Sequence, residues 1–211
     1  DTTSSNCCIG LWGPNARKVI ETVSENNFSN KAFPYMSAME VTIGDVPAIA
    51  MRISYVGELG WEIYAQVEFG LKLWDTLWEA GQLYGLVPIG SGAFDSLRLE
   101  KGYRLWGADI HTDYNPYEAG IGFAVRLDKG EFLGKEALQQ VQSNGIKRKL
   151  CCMTLDNPST VVMGKEPLLD GENILGYITS ANYGASVGKS IALGYLPIEY
   201  SNKGTKVDVI Y

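Results

Sequence analysis

The hydrophobic pattern changes character near residue 145, and this change constrains the fold more than any other feature of the sequence. Helical and strand-like patterns alternate before it, at 15–24, 39–43, 47–55, 61–64, 69–84 and 91–101. Short β-type runs separated by Gly, Asn and Pro follow it, at 150–155, 174–179, 191–195 and 206–211. We therefore predict an α+β fold in which an α+β domain over 1–145 is followed by a small antiparallel β-barrel or sandwich over 146–211. A helix over 135–143 would join the two.

Composition and charge narrow the class of protein. The chain has 211 residues, of which 45% are apolar, so it can bury a core and is not disordered. Eighteen Lys and Arg against 24 Asp and Glu give a net charge of -6 without a basic stripe, which excludes a nucleic-acid partner. No apolar window reaches the roughly 20 residues of a spanning helix, and 1–5 does not resemble a signal peptide. We expect a soluble protein without a membrane partner.

The cysteines come as two adjacent pairs, Cys7-Cys8 and Cys151-Cys152. Neighbouring cysteines rarely form a disulfide because the geometry is strained. We therefore expect buried, reduced thiols in a reducing compartment, the cytoplasm or the mitochondrial matrix. His111 is the single histidine, and its polar surroundings favour a surface loop over a catalytic base. No ligand spacing predicts a metal site.

Five sequence motifs occur in a fixed order along the chain. They are GELGWEIY at 57–64, SLRLEKGYRLWG at 96–107, PYEAGIGF at 116–123, FLGKEAL at 132–138 and ALGY at 192–195. Together they resemble the glycine-cleavage T-protein (aminomethyltransferase) superfamily, which binds tetrahydrofolate. LWG at 105–107 and GFAV at 122–125 are most similar to the C-terminal regions of dimethylglycine and sarcosine dehydrogenases, flavoproteins that oxidise N-methyl groups. The resemblance implies the C-terminal portion of a T-protein-like folate-binding domain followed by a small β-barrel domain.

The resemblance assigns Glu62 to the family's pterin-binding glutamate. Strand alternation over 61–64 places Glu62 and Tyr64 on one side and Trp61 and Ile63 on the other. A carboxylate in that position can accept the two adjacent N–H donors of a pterin ring as a fork. The alternative is a solvated strand carboxylate, which describes Glu58 in the preceding turn better.

The sequence departs from the T-protein pattern at Phe94, where the family has a folate-contacting arginine. A phenyl ring can stack on the ligand or form a wall but cannot donate to a carboxylate. Arg98, one helical turn later, is the nearest cation that could compensate. Its alternative role is an ion pair with Asp95 at i,i+3 on the helix surface. The predicted cofactor-binding residues are Glu62, Tyr64, Phe94 and Arg98.

The resemblance implies a one-carbon transfer to tetrahydrofolate. On that resemblance, a methylated glycine would be oxidised by FAD in an N-terminal domain, and its iminium carbon would then pass to the folate. The family's catalytic aspartate lies upstream of the LWGPNAR motif at 11–17, and only ten residues precede that motif here. We therefore expect the N-terminal part, the catalytic residue and any flavin domain to be missing from this chain, leaving it inactive alone and at best a weak folate binder. Its partners would be folate, a methylated amine and that flavin domain.

The sequence leaves one alternative function open. The chain could be a noncatalytic interaction module that kept the scaffold and lost the site, because a fold does not determine a function. Glu62 favours the enzyme, whereas Phe94 and the short N-terminal part favour the module. The folate-binding iron–sulfur assembly proteins rank last, because their Lys-Gly-Cys-Tyr motif has no cysteine here.

Overall fold

The computed structural model describes residues 1–210, which form two compact units. The first comprises Asp1–Phe94, and the second begins at Asp95. Helices and antiparallel sheets both contribute, so the predicted α+β class is confirmed. Residue 145, where the hydrophobic pattern of the sequence changes, lies inside the second unit. The domain boundary that the sequence predicts there stays a prediction.

The first unit is a four-stranded antiparallel sheet with two helices on one face. Its elements are β1 (Asn6–Trp12), α1 (Ala16–Thr22), β2 (Ala38–Ile43), β3 (Val46–Met51), β4 (Gly60–Gln66) and α2 (Gly70–Gly81). The strand order is β1-β4-β3-β2. β3 is shorter than the predicted run at 47–55, and β1 was not predicted.

Alternating side chains of the sheet and one stripe of each helix form the core of the first unit. Trp61 and Ile63 of β4 are fully buried and belong to the same cluster as Leu73 and Leu77 of α2. Helix α2 has two apolar stripes. The core cluster contains the aliphatic one, with Leu73 and Leu77, whereas Trp74 and Trp78 of the other stack with ring centroids 6.2 Å apart. Leu71, which is 74% exposed, and Leu83 lie outside that core.

The second unit is built around a five-stranded antiparallel sheet. The helix α3 (Ser91–Glu100) leads into it, and its other elements are α4 (Lys135–Asn144), β5 (Arg148–Thr154), β6 (Pro167–Asp170), β7 (Asn173–Gly184), β8 (Lys189–Pro197) and β9 (Asp208–Val209). The strand order is β5-β8-β7-β6-β9. The outer strands β5 and β9 do not pair with each other in the described residues, so the predicted barrel is an open sheet here.

Strand β8 is buried on both faces. Ile191, Leu193 and Tyr195 pack into one cluster, whereas Ala192 and Leu196 pack into the other. This explains why its sequence is a nearly continuous apolar run, the pattern of a strand covered on both sides.

The cysteines are free, but the expectation that they are buried was wrong. Cys8 and Cys152 are exposed, whereas Cys7 and Cys151 are partly buried. Each pair lies on an outer strand, β1 or β5, where alternation turns one of two neighbouring side chains away from the core. Within residues 1–210, no helix is both long enough and apolar enough to cross a membrane.

Candidate functional site

Strand β4 presents Glu62 and Tyr64 on the face of the sheet opposite the core. The predicted alternation is confirmed, because Trp61 and Ile63 are fully buried while Glu62 and Tyr64 are half-buried. The Tyr64 hydroxyl donates a hydrogen bond of 2.6 Å to Oε2 of Glu62. The carboxylate is therefore held by a neighbouring donor, whereas Glu58 in the preceding turn is exposed.

The neighbouring strand β1 contributes Cys8 to the same face. It pairs with β4 so that Cys8 lies opposite Tyr64 and Gly10 lies opposite Glu62. The hydrogen bond to the Glu62 carboxylate and burial both raise the pKa of Tyr64, so this hydroxyl is a donor at neutral pH. Partial burial of the sulfur raises the pKa of Cys8.

An aromatic wall lies next to Glu62. A Cβ atom at Gly10 would overlap the six-membered ring of Trp12, so the indole covers the residue that pairs with Glu62. The indole Nε1 donates to the carbonyl oxygen of Ile53 at 3.1 Å, which fixes the orientation of the ring. Only a glycine at position 10 leaves room for this arrangement.

Phe94 extends that wall. Its ring centroid lies 5.9 Å from that of Trp12 and 5.3 Å from that of Tyr55. These separations are typical of packed aromatic pairs. The sequence analysis assigned no site role to Trp12, Tyr55 or Cys8. The one signal it offered was Gly10, because a glycine within an apolar run can indicate that a side chain packs closely against the strand.

Arg98 is placed differently from the other predicted residues, because it lies in the second unit and is only 2% exposed. Its Nε and Nη2 atoms contact Oδ1 of Asp95 at 2.8 Å, so the i,i+3 ion pair is confirmed, although it is buried on the arginine side rather than at the surface. Nη1 donates to the carbonyl oxygen of Tyr103 at 2.8 Å and to Oδ2 of Asp109 at 2.6 Å. Burial lowers the pKa of Arg98, but the two carboxylates outweigh it and raise the pKa overall.

Asp109 is the partner that sequence reasoning missed, since its polar segment was interpreted as a surface loop. It is fully buried. Its carboxylate accepts hydrogen bonds from the backbone N–H of Leu105, at 2.9 Å, and from the hydroxyl of Thr179. The Tyr195 hydroxyl donates to its carbonyl oxygen at 2.8 Å. Through these hydrogen bonds, Asp109 and Arg98 hold the turn that contains the 105–107 motif against strands β7 and β8 of the sheet.

The remaining sequence candidates show no comparable arrangement. His111 is partly buried, its Nδ1 lies 3.6 Å from Oδ2 of Asp113, and its ring packs against Tyr114 with centroids 4.7 Å apart. Trp106 is 72% exposed. Within residues 1–210, no group of His, Cys, Asp and Glu is arranged to hold a metal ion.

The arrangement on the first unit fits a flat, polar ring. Glu62 supplies a carboxylate acceptor, and Trp12 supplies an aromatic surface beside it. An anionic carboxylate that accepts two adjacent N–H donors makes strong, directional hydrogen bonds, and a ring lying against an indole adds stacking. This acceptor suits an N–H-rich heteroaromatic ligand rather than an anion, because Glu62 can only accept hydrogen bonds as a carboxylate and the Tyr64 hydroxyl already donates to it.

Comparison with known proteins identifies the family. Residues 1–129 match the family model of the GCVT N-terminal domain, and residues 148–211 match that of the glycine cleavage T-protein C-terminal barrel domain. The chain is 38% identical over 202 residues to human mitochondrial dimethylglycine dehydrogenase, covering 95% of this chain and 23% of that protein. It is 36% identical over 212 residues to an aminomethyltransferase of Symbiobacterium thermophilum, covering 100% of this chain and 56% of that one.

A solved structure shows the same fold. The crystal structure of glycine cleavage system aminomethyltransferase T from Bartonella henselae superimposes with a TM-score of 0.86 at 27% identity, over 98% of this chain and 55% of that one. The chain thus spans about a quarter to about half of the length of these relatives. Since two family models together cover most of its residues, the chain belongs to the glycine cleavage T-protein family.

Proposed function

We propose that this chain is the tetrahydrofolate-binding region of a one-carbon-transferring enzyme of the methylglycine dehydrogenase or aminomethyltransferase type. The observation that carries the proposal is the Glu62 carboxylate, which Tyr64 holds at 2.6 Å on the open face of β4 beside the Trp12 ring. The relatives named dimethylglycine dehydrogenase and aminomethyltransferase support the reaction class.

Glu62 is the proposed pterin anchor. Tyr64 donates to Oε2, which restricts rotation of the carboxylate and leaves its acceptor capacity directed along the sheet face. A pterin presents a ring N–H and an amino group side by side, and one carboxylate can accept both. When bound, tetrahydrofolate supplies the nitrogen nucleophiles that take up the one-carbon unit. The part of this chain is to bind and orient the ring, which lowers the entropic cost of the transfer.

Phe94 and Arg98 have different proposed roles. Phe94 packs on Trp12 and Tyr55 and would form a wall of the folate site. All of the nitrogens of the Arg98 guanidinium contact Asp95, Asp109 or the Tyr103 carbonyl. We therefore propose that Arg98 contributes to the site by positioning the 103–109 segment rather than by contacting folate.

The longer relatives suggest where the rest of the reaction takes place. A methylated amine would be the substrate and FAD its oxidant in a dehydrogenase, with the flavin bound by a domain other than this chain. The relatives whose names include "mitochondrial" support a mitochondrial matrix location, and the aminomethyltransferase of a bacterium supports a cytoplasmic one.

A noncatalytic module is the second candidate function, and one observation favours it. Phe94 stands where the family has a cation, and its ring already packs on two protein rings. An interaction module of this kind would keep the sheet and lose folate affinity. Direct measurement of folate binding separates the two.

The test is calorimetric titration of the 211-residue chain with 5-formyltetrahydrofolate, a stable analogue. We expect a weak dissociation constant, above the submicromolar range, because ligand sites usually bury 70–90% of a small molecule, whereas Glu62 lies on a half-exposed sheet face where Ile49 is 45% exposed. Submicromolar binding would show that this face is more enclosed in solution than we infer.

The anchor itself is tested by Glu62→Ala, with Glu58→Ala as the matched control. Removing a carboxylate that accepts two donors costs about 1–3 kcal/mol, or roughly 5- to 150-fold in affinity. Glu62→Ala should retain the melting temperature, because an outward strand position contributes little packing. Normal folate binding by Glu62→Ala, or an equal loss in Glu58→Ala, would refute the assignment.

A further inference from the structure

Two arginines converge on one neutral side chain in the first unit, on the core side of β4. Nη2 of Arg17 and Nη2 of Arg52 each donate to Oδ1 of Asn30 at 2.7 Å. The two cationic nitrogens are therefore at most twice 2.7 Å, about 5.4 Å, apart. Arg17 also lies over the ring of Trp61, 5.8 Å from its centroid, whereas the proposed folate anchor Glu62 points to the opposite face.

The backbone holds both guanidiniums in place from the inner side. Nε of Arg17 donates to the carbonyl oxygen of Phe28 at 2.9 Å, and Nη1 of Arg52 donates to that of Phe33 at 2.6 Å. These hydrogen bonds are partly buried, whereas the two to Asn30 are exposed, as is Asn30 itself. The Nη2 ends are thus preorganised and open to solvent.

Among the described residues, no carboxylate forms an ion pair with Arg17 or Arg52. The arginine ion pairs among residues 1–210 are made by Arg98, Arg126 and Arg148. Glu21, one helical turn after Arg17, forms no ion pair with it, and the exposed Lys31 adds a further positive charge beside Asn30. Burial and the charge of Arg17 both lower the pKa of Arg52, as expected when two like charges lie close together.

We infer that Arg17, Asn30 and Arg52 form a binding site for a small oxyanion of the phosphate class, separate from the folate face. Guanidinium groups present planar, paired donors that match an oxyanion with several terminal oxygens. An anion bound to the remaining N–H groups of the two Nη2 atoms, beside Asn30 Oδ1, would offset the like-charge repulsion that the neutral amide leaves in place. The inference does not depend on folate binding, because its residues lie behind the sheet face that carries Glu62.

The probe is inorganic phosphate, titrated into the 211-residue chain at constant ionic strength and followed by phosphorus NMR. We expect saturable binding with a dissociation constant on the order of 1 mM and a higher melting temperature in phosphate than in chloride, since a ligand of the folded state stabilises it. Binding that does not saturate, or equal melting temperatures in the two salts, would overturn the inference.

The decisive variant is Asn30→Asp, which puts a carboxylate of the same shape between the arginines. It should raise the melting temperature in chloride and weaken phosphate binding at least tenfold, because the new charge occupies the site. Asn27→Asp adds the same charge in the same exposed loop, at a side chain that accepts from the backbone N–H of Ser29 rather than from either arginine, and should leave phosphate binding within twofold of the original. If Asn30→Asp binds phosphate normally, or both variants lose it equally, the arginines do not form the site.

Discussion

We predict that loss of the buried ion pair between Arg98 and Asp109 strongly destabilises the second unit. In Arg98→Met the aliphatic part of the side chain is retained, but Asp109, fully buried, loses its cation and keeps only the donors from Leu105 and Thr179. Removing one partner of a buried pair costs about 3–5 kcal/mol, because the remaining charge is uncompensated. That is a large share of the 5–15 kcal/mol by which domains are usually stable.

The measurement is native-state hydrogen exchange of the peptide that covers Lys189–Pro197, which reports on the second unit alone. A loss of 3–5 kcal/mol accelerates its slowest amides by roughly 10²- to 10⁴-fold, since 1.4 kcal/mol is a factor of ten. The control is Arg126→Met, because Arg126 pairs with Asp128 at 3.2 Å but is 69% exposed, and exposed pairs contribute about 0–1 kcal/mol.

A double variant isolates the pair itself. Adding Asp109→Asn to Arg98→Met removes the orphaned charge, so the double variant should be more stable than Arg98→Met by part of the lost energy, with a coupling of about 0.5–3 kcal/mol. If Arg98→Met changes exchange no more than Arg126→Met does, or if the two substitutions are additive, the ion pair does not stabilise the unit and a direct ligand role for Arg98 becomes the better explanation.

One further prediction concerns the sheet of the second unit. A Cβ at Gly176 would overlap the carbonyl oxygen of Tyr195, a backbone atom that cannot move aside, so Gly176→Ala should lower the melting temperature by several degrees. Gly171→Ala, in a turn with open space around it, should cost only the strain of its positive φ. Equal effects of the two substitutions on the melting temperature would contradict the overlap.

The sequence predicted those features of the fold that depend on local pattern. Alternation over 61–64 predicted that Glu62 faces outward, because neighbouring side chains of a strand point to opposite faces and Trp61 and Ile63 are apolar. Glycine and proline residues between the apolar runs indicated where most strands end. The sequence did not predict β1, because two cysteines and a glycine interrupt its apolar pattern. β6, with four residues, is too short to show a period.

The site depends on contacts between distant parts of the chain, which no local pattern encodes. Trp12 and Phe94 are 82 positions apart in sequence, and only the folded chain brings their ring centroids within 5.9 Å of each other. The polar residues around Asp109 in sequence predicted an acid exposed to solvent. Its actual partners are distant in sequence, since Arg98 lies on α3 and Thr179 lies on β7. The family resemblance pointed to Glu62, whereas its neighbours Tyr64 and Trp12 are evident only in the folded structure.

The two units use charge in opposite ways, and this bears on the role proposed for Phe94. In the second unit the Arg98 cation is balanced by Asp95 and Asp109, so it has little charge left to offer a ligand. On the sheet face of the first unit, Glu62 is oriented by a neutral hydroxyl, so its negative charge remains available to N–H donors. The Phe94 ring packs on Trp12 and extends the aromatic wall without adding a cation to this face. Phe94 is therefore compatible with the proposed folate site, which would rely on one carboxylate and stacking rather than on paired charges.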